Sequence, residues 1–496
     1  MHVYNAHRGQ LSLHMPRALI VDNFAGGGGA SMGLEQAFQR PVDIAINHNE
    51  QAISMHQVNH PDTEHYCESV WDVDPVKATH GLPVEWAHFS PDCTHHSKAR
   101  GGKPKDKDIR GLAWVALKWA LLKRPEKISI ENVEEFRTWG PPTPEKQPCP
   151  ENKGQLFDAF IKGFTTGLSP MHNITKHDGL RTNHSTWHEA VTALGIEHNP
   201  KMKLALKRGL NYSIDWTELR ACDYGAPTTR KRFFMVARAD GQAINWPEPT
   251  HGPGLTPYRS AAECIDWSIP APSIFERKRP LAENTLRRIA RGLQKYVIEA
   301  ERPFVVNEVA PFITEHANAS SQRNMPADEP LRTICAQVKG GHFALVTAFM
   351  VKHYGGNYTG PGIDMRQPLD TITTVDHHAV CVAWLLKYYG TNIGTNLNDP
   401  MQTITTRDRF GLVTCQIDGE TYQIVDIGMR MLEPHELYKA QGFPDGYIHS
   451  HDHTGKPFTK TAQVRMVGNS VPPCLIEAIA KANTEDAAEQ PKRAAA

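Results

Sequence analysis

The stretch Ala18-Leu19-Ile20-Val21-Asp22-Asn23-Phe24-Ala25-Gly26-Gly27-Gly28-Gly29 decides the fold of this chain. Its first four residues are apolar, which is typical of a strand buried on both faces of a parallel sheet. The four glycines let the backbone turn sharply and let a ligand approach closely before a helix predicted from Ala30 to Gln39. Strand, glycine turn and helix in this order open an α/β domain with ligands at the carboxyl ends of its strands.

Later segments continue the alternation of strands and helices. Strands are predicted at Val42–Ile46, Lys127–Ile130 and Phe233–Ala237, with a helix at Gln51–Val58. This alternation predicts an open, mostly parallel sheet. A dinucleotide site is disfavoured because Ser31 interrupts the glycine spacing and Asn47 stands where an acid would hold a ribose. A purely structural strand-to-helix turn remains an alternative for the glycines.

Bulk composition narrows the class of protein. The 496 residues include 54 Lys plus Arg and 54 Asp plus Glu, so the net charge is zero and a nucleic-acid partner would need local basic patches. The nine cysteines are widely spaced without a Cys-x-x-Cys pair, which favours a reducing cytosol over disulfides or structural zinc. Neither a signal peptide at Met1–Arg17 nor a membrane-spanning stretch is expected. A soluble cytoplasmic protein of two or more domains is predicted.

An internal repeat marks a second, β-rich domain. The pattern Pro-x-x-Thr-Ile occurs at 330–334, 368–372 and 400–404, in steps of 38 and 32 residues. Such steps suit one supersecondary unit per repeat, and the β-branched content predicts strands and hairpins. The chain is expected to become helical again from Glu433, and the tail 483–496 is expected to be disordered.

Three chemically active groups follow predicted strands. Cys93 lies before a loop in which residues 98–110 contain six Lys or Arg, a setting that favours a thiolate. Glu131 ends the strand that begins at Lys127, and Arg230 and Arg232 precede the strand at 233–237. Singly, each has a structural alternative: a core cysteine, a strand-end cap, a solvated arginine pair. His95 and His96 adjoin Cys93, but no second cluster of ligands accompanies them, which disfavours a metal.

Taken in order, these motifs resemble those of the DNA cytosine-5 methyltransferase family. Asp22–Gly29 is similar to its S-adenosyl-L-methionine loop, Cys93 to its nucleophile, Glu131-Asn132-Val133 to its Glu-Asn-Val motif, and Arg230-Lys231-Arg232 to its arginine motif. Gln441–Asp445 and Gly468–Pro473 are similar to its C-terminal motifs. The sequence departs from the family at Asp92, where proline is usual, at Thr228, where glutamine is usual, and at Asn47 or His48, although Glu50 is near.

The resemblance implies the site residues and the cofactor. The implied catalytic residues are Cys93, Glu131, Arg230 and Arg232. The residues implied to bind S-adenosyl-L-methionine are Phe24, Ala25, Gly26, Gly28, Asp72, Asn469 and Ser470, and no metal is implied.

The resemblance also implies an architecture: a Rossmann-like methyltransferase sheet with a β-rich target-recognition domain inserted before the C-terminal motifs. The expected divisions are a catalytic domain at 17–255 with an insertion near 140–209, a recognition domain at 256–425, a return to the catalytic domain at 426–482, and the tail.

The implied activity is methylation of cytosine C5 in double-stranded DNA, through a covalent cysteine adduct and base flipping. The enzyme is expected to be a monomer in a bacterial or phage-infected cytoplasm, without membrane contact, and compatible with a separately acting cognate restriction endonuclease. Two alternatives stay open: an RNA (tRNA) cytosine-5 methyltransferase, and a non-catalytic DNA-binding relative.

Overall fold

A computed structural model describes residues 17–91, 111–142, 149–170, 174–177, 180–306, 309–315, 324–334, 343–352, 384–387, 395–396, 410–411, 414–417 and 420–484. Contacts divide the chain into two units. The first consists of Met1–Tyr224, Lys231–Thr250 and Gly446–Ala496, and the second of Gly225–Arg230 and His251–Asp445. Each unit therefore contains segments that are distant in sequence.

The described helices are α1 (Gly29–Phe38), α2 (Glu50–Asn59), α3 (Pro75–Ala78), α4 (Trp114–Leu122), α5 (Gln155–Phe164), α6 (Thr186–Ala193), α7 (Pro200–Arg208), α8 (Glu283–Leu293), α9 (Pro434–Ala440), α10 (Lys460–Asn469) and α11 (Pro473–Thr484). The described strands are β1 (Leu19–Asn23), β2 (Ile44–Ile46), β3 (Glu64–Tyr66), β4 (Val84–Phe89), β5 (Lys127–Asn132), β6 (Ile174–His177), β7 (Leu180–Ser185), β8 (Ser213–Arg220), β9 (Lys231–Arg238), β10 (Val309–Glu315), β11 (Asn324–Pro326), β12 (Phe343–Lys352), β13 (Trp384–Lys387), β14 (Thr395–Asn396), β15 (Phe410–Gly411), β16 (Thr414–Ile417) and β17 (Glu420–Met431). In this part of the chain no helix is long and apolar enough to cross a membrane.

The first unit is built on a seven-stranded sheet in the order β3-β2-β1-β4-β5-β9-β8. Strands β1 to β5 are parallel, while β9 and β8 are antiparallel additions at one side. This confirms the predicted open, mostly parallel sheet. Because β9 runs against β5 and Asn132 pairs with Phe233, the first residues of β9 lie at the carboxyl edge of the parallel strands. The glycine turn, Glu131 and Arg232 thus share one edge of the sheet.

Aromatic side chains fill the core on one face of this sheet. Trp114 of α4 is fully buried, and its ring meets that of Phe160 in α5 edge to face at 5.7 Å. Phe160 also contacts Phe164 at 5.2 Å. Burial of each such ring contributes about 1.5–3 kcal/mol. Residues 155–209, expected to be part of an insertion near 140–209, therefore include helices that enlarge the core of the first unit.

The second unit contains a five-stranded antiparallel sheet in the order β11-β10-β12-β17-β16. Helix α8 packs on it with Ile289 and Leu293, and the π-helical turn Gln294–Ile298 that continues α8 adds Val297 to the same core as Phe312. The β-rich part of the chain is thus present as predicted. Of the three Pro-x-x-Thr-Ile segments, 330–334 is described, whereas 368–372 and 400–404 lie outside the described residues. Residues 485–496, most of the predicted disordered tail, also lie outside them.

The C-terminal helix returns to the first helix of the chain. Helix α11 packs against α1 where Gly33 leaves no side chain between them. A Cβ at Gly33 would lie 2.1 Å from Cγ2 of Ile476 and 2.4 Å from the carbonyl oxygen of Pro473. The second distance involves backbone, so a change of rotamer cannot relieve it.

We expect Gly33→Ala to destabilise the protein by about 1–3 kcal/mol, because the overlap outweighs the gain of about 1 kcal/mol in helix propensity. Thermal unfolding measures the effect as a lower melting temperature. Gly446→Ala is the control, since no heavy atom of the described residues lies within 4 Å of its added Cβ. Equal melting temperatures for both variants would contradict close packing of α11 on α1.

Candidate active site

The glycine turn after β1 has three residues in a backbone conformation that favours glycine, and one of them is a phenylalanine. Phe24 has φ 65°, Gly26 φ 47° and Gly28 φ 88°, all in the left-handed region. The turn is anchored to the sheet by the Ala25 backbone N–H, which donates to the Ile46 carbonyl at 3.1 Å. A tight turn at the end of a buried strand is thereby held in a fixed position before α1 begins.

Residues from the C-terminal part of the chain close one side of this turn. The Tyr447 hydroxyl donates a hydrogen bond to the Gly27 carbonyl. A Cβ at Gly28 would lie 2.2 Å from Tyr447 Oη and 2.7 Å from His60 Nε2, and one at Gly27 would lie 3.3 Å from Ser470 Oγ. Asn59 and Ile448 exchange two hydrogen bonds of 2.8 Å beside this contact. The predicted cofactor residue Ser470 is therefore brought to the turn.

The turn remains open on another side. Among the described residues, a Cβ at Gly26 would meet only the Phe24 carbonyl oxygen within 4 Å, at 3.7 Å. Asn23 Oδ1 is buried without a hydrogen-bond partner in the described part of the chain. The turn thus keeps space and an unused acceptor at the carboxyl edge, which fits the implied cofactor.

Asp72 and Asn469, two further predicted cofactor residues, are exposed. Lys118 Nζ fixes the backbone around Asp72 by donating to the carbonyls of Trp71 at 2.7 Å and Val73 at 3.0 Å. Burial lowers the pKa of Lys118, and the nearby Asp74 and Asp72 oppose this shift. Asn469 is the last residue of α10, directly before Ser470. Each presents a polar side chain from a fixed backbone segment.

The predicted departure at Asn47 has a local structural role. Its side-chain Oδ1 accepts from the Asn49 backbone N–H at 2.8 Å, and Asn49 in turn caps α2 by accepting from the Ala52 N–H at 3.0 Å. Glu50, in the first turn of α2, is exposed. The carboxyl end of β2 therefore carries an exposed acid three residues after the position that the family motif uses.

A chain of buried polar groups lies beneath the glycine turn, and sequence analysis did not identify it. Ser31 Oγ donates to Asp22 Oδ2 at 2.7 Å, His56 Nε2 is 2.9 Å from Ser31 Oγ, and His65 Nε2 is 2.8 Å from His56 Nδ1. With both histidines neutral, each N–H can point toward Asp22, so every link has one donor and one acceptor. The signal in the sequence was Ser31 itself, the polar residue within the glycine-rich helix start.

Burial sets the protonation of this chain of groups. It raises the pKa of Asp22 from 3.8 to about 7. It lowers the pKa of His56 well below 6.5, with further lowering from His60 and His65. Burial, followed by His60, lowers the pKa of His65 to about 4. The histidines are consequently neutral near pH 7, while Asp22 titrates there.

Glu131 and Arg232 form an ion pair at the same edge of the sheet. Arg232 Nε lies 3.0 Å from Glu131 Oε1, and both side chains are mostly buried. Glu131 Oε1 accepts no hydrogen bond from the described residues, so this contact is electrostatic. Arg232 Nη1 also donates to the Lys231 carbonyl at 2.9 Å, which fixes the guanidinium. An arginine therefore orients a buried carboxyl group that retains acceptor capacity.

Asn132 connects this pair to the segment that precedes Cys93. Its Nδ2 donates to the Pro91 carbonyl at 3.2 Å. Beneath it, His88 bridges Ser129 Oγ and Ser90 Oγ, each at 2.8 Å, and burial lowers the pKa of His88 to about 3. Cys93, Asp92 and the cationic loop lie outside the described residues.

Arg230, the other predicted catalytic arginine, lies in the second unit. It is 2% exposed, and its Nη1 donates to the Ile334 carbonyl at 3.1 Å. Its neighbour Thr229 donates a backbone hydrogen bond to Leu331 at 2.7 Å. The first Pro-x-x-Thr-Ile segment is therefore bound to the arginine motif. The structure brings Glu131 and Arg232 together, and it gives Arg230 a contact that sequence analysis did not foresee.

We expect Asp22→Asn to change the pH dependence of stability. Between pH 4 and 7 the folded state binds a proton at Asp22 that the unfolded state has released. Stability therefore falls as pH rises, by about 1.4 kcal/mol per pH unit, and levels off above about pH 7. Asparagine lacks this contribution, so the free energy of unfolding of the variant relative to wild type should rise by roughly 2–3 kcal/mol from pH 5 to 7.

Urea unfolding at pH 5, 6, 7 and 8 measures this difference. Comparison with wild type cancels the contributions of His65 and His88, whose lowered pKa values make stability rise with pH over part of this range. Asp62→Asn, at an exposed position, is the control. A difference between Asp22→Asn and wild type that is independent of pH would show that Asp22 is ionised in the folded protein.

Within the described ranges no group of three or more His, Cys, Asp or Glu is arranged to hold a metal ion. The site is thus characterised by the glycine turn, its buried polar support and the Glu131–Arg232 pair.

Comparisons with known proteins identify the family. The family model for C-5 cytosine-specific DNA methylases matches residues 19–139 and 198–485. Type II methyltransferase M.AgeI of Thalassovita gelatinovora is 27% identical over 236 residues, which cover 47% of this chain and 42% of that protein. Type II methyltransferase M.AquIA of a Picosynechococcus species is 32% identical over 95 residues, 17% of this chain and 38% of that protein. The matches thus span less than half the length of either relative.

A solved structure described as a prophage-encoded DNA modification methyltransferase of E. coli aligns with a TM-score of 0.45 at 15% identity, over 94% of this chain and 98% of that one. This likeness is too distant to bear on function. The family match covers the glycine turn, Glu131, Arg232 and the C-terminal return. The chain belongs to the C-5 cytosine-specific DNA methylase family.

Proposed function

We propose that this protein methylates C5 of cytosine in double-stranded DNA, using S-adenosyl-L-methionine and a covalent bond from Cys93. The observation that carries the proposal is the Arg232–Glu131 pair, with Nε and Oε1 3.0 Å apart, at the edge of the sheet that also bears the glycine turn. The names of the two relatives, both type II methyltransferases, favour DNA as the substrate and a separately acting restriction endonuclease as a partner in the cell.

S-adenosyl-L-methionine, when bound, supplies an electrophilic methyl group. Phe24, Ala25, Gly26 and Gly28 would hold it through the open side of the turn, where Gly26 leaves space. The exposed carboxyl group of Asp72 would accept from an amino group of the adenine. Asn469 and Ser470 would complete the site from the C-terminal side.

Cys93 would activate the cytosine ring by nucleophilic addition. Its thiolate sulfur forms a bond to C6, and the electrons of the C5–C6 double bond make C5 electron-rich. The addition increases negative charge on N3 and O2. After C5 has received the methyl group, a base removes the C5 proton. The C6–S bond then breaks, and Cys93 is released as a thiolate. The six basic residues of segment 98–110 favour the thiolate form of the nucleophile.

Glu131, which is paired with Arg232 in the free protein, would take up a proton when the cytosine binds, share it with N3 and stabilise the charge that develops there. Arg232 fixes the orientation of this carboxyl group through the 3.0 Å contact and is suited to hold O2. Asn132 would help to position the nucleophile, because it donates a hydrogen bond to the Pro91 carbonyl, two residues before Cys93. Arg230 is proposed as a further catalytic residue, and its contact with Ile334 joins the arginine motif to the first repeat segment.

Base flipping is required because C6 is inaccessible in a stacked duplex, and it costs a few kcal/mol. The β-rich region 256–425 would then read the neighbouring bases, since contacts to base edges carry sequence information. We propose that this region selects the methylated sequence.

Covalent trapping tests the proposed function. In duplex DNA with 5-fluorocytosine at the target, no proton can leave C5, so the Cys93 adduct should persist. We expect a denaturation-resistant complex with S-adenosyl-L-methionine present, abolished by Cys93→Ala and formed about 10²–10⁴-fold more slowly by Glu131→Gln. Electrophoresis under denaturing conditions measures the complex. Cys67→Ala, which removes an exposed cysteine, is the matched control and should leave the adduct unchanged.

A complex that survives Cys93→Ala would overturn the assignment of the nucleophile. Absence of any complex on DNA, together with methyl transfer to tRNA, would replace DNA by RNA as the substrate. Absence of transfer to both would favour a non-catalytic DNA-binding protein.

We expect Tyr447→Phe to weaken cofactor binding, because it removes the hydrogen bond that holds the Gly27 carbonyl. Loss of one such bond next to a binding loop corresponds to a rise in dissociation constant of about 3–10-fold. Titration calorimetry with S-adenosylhomocysteine measures it without catalysis. Tyr212→Phe is the matched control, since its buried hydroxyl donates to the Pro125 carbonyl at 2.7 Å, at the opposite edge of the sheet.

Both variants should lose similar stability, so melting temperatures separate a general effect from a local one. The expectation is wrong if Tyr447→Phe binds S-adenosylhomocysteine as tightly as Tyr212→Phe does.

A further inference from the structure

Positive charge is concentrated in one segment of the second unit. Residues 277–295 contain seven Lys or Arg and one acid, Glu283, and therefore carry a net charge of +6. The whole chain has a net charge of zero. Such a segment differs from a surface on which charges of both signs alternate, so it has a stronger local field than the average surface of this protein.

Helix α8 directs part of this charge away from the protein. Ile289, Leu293 and Val297 are buried against the five-stranded sheet, and Gly292 lets the helix approach Phe312 closely. Arg287, Arg291 and Lys295 occur two positions before each buried residue. Two residues correspond to about 200° around a helix, which places these cations on the opposite face. All three are exposed.

Most of these cations have no counter-ion in the part of the chain that the structure describes. Arg287 pairs with Glu283. Lys278, Arg279 and Arg291, all exposed, form no ion pair with the described residues, and Lys295 lies over the Tyr296 ring at 4.9 Å. We define Lys278, Arg279, Arg291 and Lys295 as the basic face. If the segment were merely a solvated surface, ion pairs such as Arg287–Glu283 would be expected throughout it.

We propose that the basic face binds the sugar-phosphate backbone of duplex DNA; this rests on the proposed function. Arg291 lies near the end of α8 and Lys295 in the π-helical turn Gln294–Ile298 that continues it. Four residues correspond to about one helical turn, roughly 6 Å along the axis, so the two cations form a row of charges that suits a line of phosphates. Long, exposed cations without buried polar partners suit phosphates, which carry no sequence information, better than base edges. The basic face therefore contributes affinity and positioning, while sequence selection lies elsewhere.

The test is the salt dependence of DNA binding. The variant Lys278→Gln, Arg279→Gln, Arg291→Gln, Lys295→Gln retains Arg287, which pairs with Glu283. Fluorescence anisotropy with a labelled duplex, titrated from low to high salt, gives the slope of log K against log salt. Each lost phosphate contact reduces the slope by about 0.9, so the slope should become shallower by roughly 2–4, and affinity near 0.1 M salt should fall at least about tenfold.

The matched control removes four charges from another exposed helix. Lys201→Gln, Lys203→Gln, Lys207→Gln, Arg208→Gln alters α7, whose following Leu210 carbonyl accepts from Arg124 at 2.6 Å, at the amino-terminal edge of the large sheet. This variant should keep the wild-type slope. Both variants should keep the wild-type melting temperature, and both should bind S-adenosylhomocysteine as wild type does.

A wild-type slope in the basic-face variant would overturn this inference and leave the proposed function intact. A wild-type protein that binds no duplex DNA would instead remove the DNA substrate, and this inference with it. An effect seen with tRNA and not with duplex DNA would reassign the basic face to RNA and contradict the proposal.

Discussion

The hydrogen bond from Tyr447 to the Gly27 carbonyl is the interaction on which the fixed shape of the glycine turn depends. The turn after β1 must be open at Gly26 and closed at Gly28, and glycine alone provides neither property. The turn is open at Gly26 because few described atoms lie near the place that a side chain would take there. It is closed at Gly28 because Tyr447 and His60 occupy the corresponding space. A flexible sequence thereby becomes a fixed surface, which reduces the conformational entropy that a ligand must remove on binding.

The polar groups under this turn explain how a charged residue can lie in the core. An isolated buried carboxylate is costly, so Asp22 is stable there only if it is hydrogen-bonded or protonated. Ser31 supplies the hydrogen bond, and the neutral histidines behind it orient the hydroxyl. Substitutions of Ser31 or His56 should therefore alter the glycine turn, although neither side chain would contact a ligand bound there. Glu131 is also a buried carboxyl group, but it is stabilised by the adjacent positive charge of Arg232.

Sequence patterns predicted the elements whose signals are local. The apolar run of β1, its glycine turn and the order of motifs sufficed for the sheet and for the family resemblance. The helices between residues 155 and 209 were missed because that segment mixes histidine and charged residues with its apolar positions. The Tyr447–Gly27 contact could not be predicted, since it joins residues 420 positions apart and leaves no periodic signal. The sequence did not distinguish the roles of Arg230 and Arg232. In the structure Arg230 donates to the Ile334 carbonyl, whereas Arg232 contacts Glu131.

The return of the C-terminal segment to α1 has a consequence for biosynthesis. Strands β1 and β2 leave the ribosome early, but the face of α1 at Gly33 and the closed side of the turn are completed only after Tyr447 and α11 have been made. At about 5–20 residues per second, this delay is roughly 20–80 s. During that interval the face of α1 that later packs on α11 stays uncovered, as does the closed side of the turn. The glycine turn therefore reaches its final surroundings only after residues up to Thr484 have been made, whatever the order in which the strands pair.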